Sequence, residues 1–157
     1  MLRQAGIGPE HRKPLHAEFV SAADRESITY RGTLGKDTLN TLLARLSRLA
    51  AEGWPAEAKT GIYLKFKALI FLHPESSQAI AVHLSRLKPT HPAYQILVGA
   101  LSAVGNERAQ EALLRLVAQS RNNPAVQASL LRALAVVDRQ SPTTVNRFLV
   151  LANPPGD

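Results

Sequence analysis

Leucine and alanine recur at three- and four-residue intervals along most of this chain, in blocks separated by proline, glycine or asparagine. That spacing puts the apolar side chains on one face of a helix. From Asp37 to about Ala51, the residues Leu39, Leu42, Leu43, Leu46 and Leu49 form such a face, with Asp37 near its start. Gly53 closes this block and Trp54-Pro55 opens the next. The pattern predicts further helices from about Pro55 to Leu72, Glu75 to Leu87, Pro92 to Val104, Glu107 to Ser120, Pro124 to Asp138 and Ser141 to Ala152. Between them, Pro74 and Pro89 cannot continue a helix, and Gly105-Asn106 makes a tight turn. Asn123 and Ser141-Pro142 supply caps.

Residues 1–35 break the pattern. Gly6, Gly8, Pro9, Pro14, Gly32 and Gly35 punctuate them, and no helical period outlasts Leu15 to Ala23. Ile28-Thr29-Tyr30 has strand-like chemistry with no partner nearby. The expected organisation is an irregular N-terminal arm over 1–35, a helical domain over 36–152 and a short tail over 153–157.

The helical blocks repeat at a spacing of about 32 residues, which marks an array whose units cover one another's apolar faces. Pro92-Ala93-Tyr94-Gln95 returns as Pro124-Ala125-Val126-Gln127, and Ala68-Leu69, Ala100-Leu101 and Ala133-Leu134 correspond. Glu75, Ile80, Ala81 and Leu84 align with Glu107, Ala112, Leu113 and Leu116, and earlier with Asp37, Leu42, Leu43 and Leu46. With one inserted residue they continue as Gln140, Val145, Asn146 and Leu149. Short helix pairs with Gly or Asp in the turn, as in Ala103-Val104-Gly105-Asn106 and Val136-Val137-Asp138, resemble HEAT-like repeats. The resemblance spans about 100 residues, is closest from Pro92 to Ala152, and is structural rather than functional. It implies an all-α fold: an α-solenoid of about three helical hairpins whose second helices line an inner, partner-binding face.

The composition fits one soluble domain: 45% hydrophobic and 20% charged over 157 residues. The absence of cysteine excludes disulfides, thiolate zinc sites and a cysteine nucleophile. Lys65, Lys67, His83 and Arg115 interrupt the longest apolar stretches, so no membrane span is expected, and a cytoplasmic location is the default. The formal net charge of +7 favours acidic partners.

No catalytic residues and no cofactor suggest themselves. The five histidines form no helical ligand pair, so no metal site is expected, and His73 and His91 read as capping or loop residues. Gly32-Thr33-Leu34-Gly35-Lys36-Asp37-Thr38 has the wrong glycine spacing for a phosphate-binding loop, and Asp37 would repel phosphate. It reads instead as the approach to a helix cap. Glu107 and Glu111 belong to an ordinary solvated helix face. Asp138, between repeat helices, is the one acid placed to work in a groove.

Charge is more informative by position. Arg45, His83, Arg115 and Arg147 occupy the same or an adjacent position of the second helices, and Arg48 matches Arg86 one turn on. Such residues form a basic stripe along stacked helices, unless the long side chains merely edge a leucine-rich face. The expected role is a non-enzymatic binding or scaffolding module for a protein or acidic peptide. The alternative is a nucleic-acid-binding protein that follows a phosphate backbone along the stripe. The alkylpurine DNA glycosylases, a HEAT-like branch, are similar in helix pairs and basic character. They surround a DNA groove with aromatic side chains and an acid, and no local match to that site is found around Trp54 or Asp138. The final helix carries Val145, Phe148, Leu149, Val150 and Leu151 around most of its circumference, so self-association through this end is also expected.

Overall fold

Proline, asparagine and serine set the helix starts where the sequence puts them. The computed structural model describes residues 22–153, and these residues form eight helices and no strand. They are α1 (Ala22–Leu34), α2 (Leu39–Glu52), α3 (Ala56–Leu72), α4 (Ser76–Arg86), α5 (Pro92–Val104), α6 (Glu107–Gln119), α7 (Pro124–Ala135) and α8 (Pro142–Ala152). The described chain is all-α. Asn106, Asn123 and Ser141 each accept a backbone N–H of the first turn that follows, and His91 does so through Nδ1 at 3.1 Å. Proline occupies the first turn of α5, α7 and α8, where its missing N–H costs nothing.

Two expectations are corrected. From Ala22 on, the supposed irregular arm is helix α1, while residues 1–21 lie outside the described residues, as do 154–157 of the tail. The β-branched run that looked strand-like is held helical by its neighbours. Tyr30 packs its ring on Phe71 of α3 at 4.6 Å between centroids, and Leu34 is buried. The hydroxyls of Thr29 and Thr33 donate to the carbonyls four residues earlier, at 3.0 Å. Gly35 then ends α1 in the left-handed conformation. Asp37, in turn, is not in a first helical turn. Thr38 caps α2 in a reciprocal box with Thr41, and Asp37 precedes it.

The helices pack in two rows. In one, α1 lies on α3, α3 on α5 and α5 on α7. In the other, α4 lies on α6 and α6 on α8, while α2 packs chiefly on α3 and α5. Leu46, Leu84, Leu101, Leu116 and Leu134 are all buried. Polar ties join helices 31 to 36 residues apart in the chain. Lys65 Nζ donates to the Thr33 carbonyl at 3.0 Å, Asn106 Nδ2 to Ile70 at 3.0 Å, and Ser102 Oγ to Ala133 at 2.6 Å.

The densest tie is Gln110, on α6 and only 2% exposed. Its Nε2 donates to the carbonyls of Gly105 (2.7 Å) and Arg139 (2.8 Å). Its Oε1 accepts from the Ser141 N–H and the Thr144 hydroxyl, both at 2.8 Å. Both donors and both lone pairs are thus used. Thr144 is the only fully buried residue of α8, so this helix is held by the Gln110 amide together with the partial packing of Phe148 on the core.

Two substitutions probe these junctions. Gln110→Leu orphans two carbonyls, an N–H and a hydroxyl, and should cost about 2–4 kcal/mol in urea unfolding. Gly105 has φ +57°, and a Cβ there would meet Val137 Cγ1 at 2.7 Å. Gly105→Ala should therefore lose about 1–3 kcal/mol. Gly99→Ala, whose new methyl meets nothing nearer than the Tyr63 ring at 3.6 Å, should instead gain about 0.5–1 kcal/mol by helix propensity. Equal effects at the two glycines would reject this account of the α5–α6 turn.

Candidate functional site

The six residues of the basic stripe do not share one condition. Arg45, on α2, is committed to Asp37 at 3.1 Å, and Lys65 reaches the same carboxylate at 2.6 Å. The Lys65 hydrogen bond, with help from Arg45, holds the Asp37 carboxyl below its ordinary value of 3.8. Part of the Arg45 charge therefore serves the α2–α3 junction. Arg48, a turn further on, is exposed.

On α4, His83 is half-buried and Arg86 exposed. Burial, then the nearby charges of Arg86 and His91, push the His83 imidazole below its ordinary value of 6.5. His83 is therefore neutral at neutral pH and adds no positive charge to the stripe. Arg115 of α6 and Arg147 of α8 are brought together, on the two sides of a groove of about 480 Å³ that also contains Leu114 and Val150. Among the described residues neither arginine forms an ion pair.

A cleft of about 1150 Å³ lies mainly on the other row, and none of the six stripe residues lines it. Val98, Gly99 and Ser102 of α5 line it. Glu26 and Tyr30 of α1, Phe71 of α3, and Ser129, Arg132 and Ala133 of α7 line it as well. The turn at Gly105 and the loop from Val136 to Pro142 also contribute to the lining, Asp138 among them. Burial, then the Glu26 carboxylate, raises the Tyr30 phenol above its ordinary value of 10.0, so it remains a hydrogen-bond donor. Acidic Glu26, Glu107 and Asp138 alternate with basic Arg132 and Arg139 along the lining. Such a surface offers apolar contact with both signs of charge, as an irregular polypeptide segment requires.

Tyr30, Phe71 and Gln95 went unread as site residues because no local pattern joins positions so far apart in the chain. The one available signal was Gln110, a polar residue on the inward-facing edge of a helix beside Ala109, Ala112 and Leu113. Among the described residues, no group of three His, Cys, Asp or Glu side chains is placed to hold a metal ion, and no helix is long and apolar enough to cross a membrane.

No protein-family model, curated protein or solved structure matches this chain.

The His83 environment makes a prediction with a definite sign. Its folded-state midpoint lies below 6.5, so its contribution to stability is present above that pH and lost as the pH falls through the lower midpoint. Ring-proton chemical shifts should show His83 titrating below 6.5, and Arg86→Ala should move the midpoint upward. A midpoint above 6.5 would mean that the ring is neither desolvated nor repelled.

Proposed function

We propose that this chain is a binding module that holds a protein or peptide segment in the cleft across α1, α5 and α7. The cleft carries this function: at about 1150 Å³ it draws its lining from α1, α3, α5 and α7 together, which gives an extended segment a continuous surface along one row. We take the build to be a HEAT-like α-solenoid, with hairpins α3–α4, α5–α6 and α7–α8 headed by α1 and α2. The successive packing of alternate helices and the polar ties at about one repeat support it. In this proposal the occupied face belongs to the first helices of the hairpins, not to the second helices that the basic stripe follows.

The test is photo-crosslinking from a single position in cells. A crosslinker at Gln95 or Ser129, both on the cleft, should trap one protein partner, and Ser129→Trp should abolish the adduct formed from Gln95. A crosslinker at the exposed Ala79 of α4 should trap none. The same adduct from Ala79 would place the partner elsewhere.

The net charge of +7 favours nucleic acid as the second function. Its requirement is a steep fall of duplex affinity with salt, reduced by Arg48→Glu and Arg86→Glu. Crosslinks from the cleft to protein and weak, salt-insensitive duplex binding together select the first function.

A further inference from the structure

The groove between α6 and α8 is built unlike the cleft. Glu111, Leu114 and Arg115 follow one another at helical spacing on α6, and Thr143, Asn146, Arg147 and Val150 do so on α8. The groove therefore runs along both helices for about two turns of α8. Beside it, α8 leaves Leu149 56% and Val150 51% exposed, with Val145 and Leu151 nearly as open. Of these four, Val150 alone lines the groove, where it forms a small apolar patch with Leu114; the other three lie elsewhere around the helix.

We infer that the α6–α8 groove docks an amphipathic helix of another protein, whose apolar ridge lies on Leu114 and Val150 and whose flanking carboxylates pair with Arg115 and Arg147. Two helices side by side present a furrow into which the ridge of a third fits. Charge complementarity names the chemistry of that third helix. Arg115 and Arg147 have no carboxylate partner among the described residues, and the nearest acid on the groove, Glu111, is paired with Arg108 at 3.5 Å. A second copy fits less well. A two-fold contact would set this patch against itself and bring the arginines of both copies together, in a chain already at +7. Nucleic acid fits less well too, because the groove has no aromatic side chain to stack on a base and much aliphatic surface that a phosphate backbone would leave wet. This second docking surface does not depend on the cleft, and with both occupied the chain joins two partners.

The test uses the full chain and two labelled helical peptides of about eighteen residues. One has leucines at positions i, i+3, i+4 and i+7 flanked by glutamates, and the other has lysines in place of the glutamates. By fluorescence anisotropy the acidic peptide should bind and the lysine peptide should not. Arg115→Glu/Arg147→Glu should weaken the acidic peptide by about tenfold or more and let the lysine peptide bind. Val150→Glu should abolish binding of either peptide, and circular dichroism should show each variant folded. Ser129→Trp in the cleft should change nothing here, which separates this inference from the proposed function. No binding at about 100 μM, or binding that ignores the charge reversal, overturns the inference. So does concentration-dependent self-association that Leu149→Glu removes, or binding to anionic phosphatidylserine vesicles that outcompetes the acidic peptide.

Discussion

A polar group buried inside a helical array is costly unless bonded, and Gln110 turns that cost into register. Its amide links three stretches of backbone: the end of α5 at Gly105, the loop at Arg139 and the cap of α8 at Ser141. Leucine packing supplies most of the cohesion, but apolar contacts are not directional. One helix could slide by a turn along another and still bury similar area. The amide cannot follow such a slide without losing several bonds at once. Lys65, Asn106 and Ser102 do the same at other junctions, each reaching a backbone carbonyl on a neighbouring helix. The apolar faces decide that these helices stack, and the polar ties decide where.

The two candidate surfaces follow from that division. The cleft borders the best-tied part of the molecule, where Ser102 is bonded to α7 and the bare Cα of Gly105 leaves room for Val137. Its walls are thereby pre-set, which lowers the ordering cost of binding. The α6–α8 groove exists for the opposite reason. Helix α8 is held by a polar anchor at Thr144 and only partial packing at Phe148, so much of its apolar surface stays uncovered.

Seven of the eight helices were legible because leucine spacing and capping residues agree, as at Asn106, Asn123 and Ser141. Helix α1 was not. Ile28, Thr29 and Gly32 all lower helix propensity, and what overrides them is tertiary: the Tyr30–Phe71 contact and the burial of Leu34. The basic stripe was legible as a register but not as a charge distribution. Repeat position cannot reveal that Asp37 sits outside the cap and holds Arg45, or that burial leaves His83 neutral. The cleft was invisible for a simpler reason. Its walls come from residues about a hundred positions apart, and only the stacking of α1, α3, α5 and α7 brings them to one space.

The anchoring of α8 also sets how this molecule yields to mechanical load. Tension applied at the C-terminal end meets the partial packing of Phe148 first and the Gln110–Thr144–Ser141 bonds next, with no fully buried large side chain on the end helix to resist it. Hydrogen bonds rupture over a short distance, so the end helix peels away as a unit while the leucine-packed rows behind it stay intact. Extending its 11 residues from helix to strand length adds about 20 Å to the chain. The same event removes one side of the arginine-flanked groove, while the α5 residues that line the cleft remain in place.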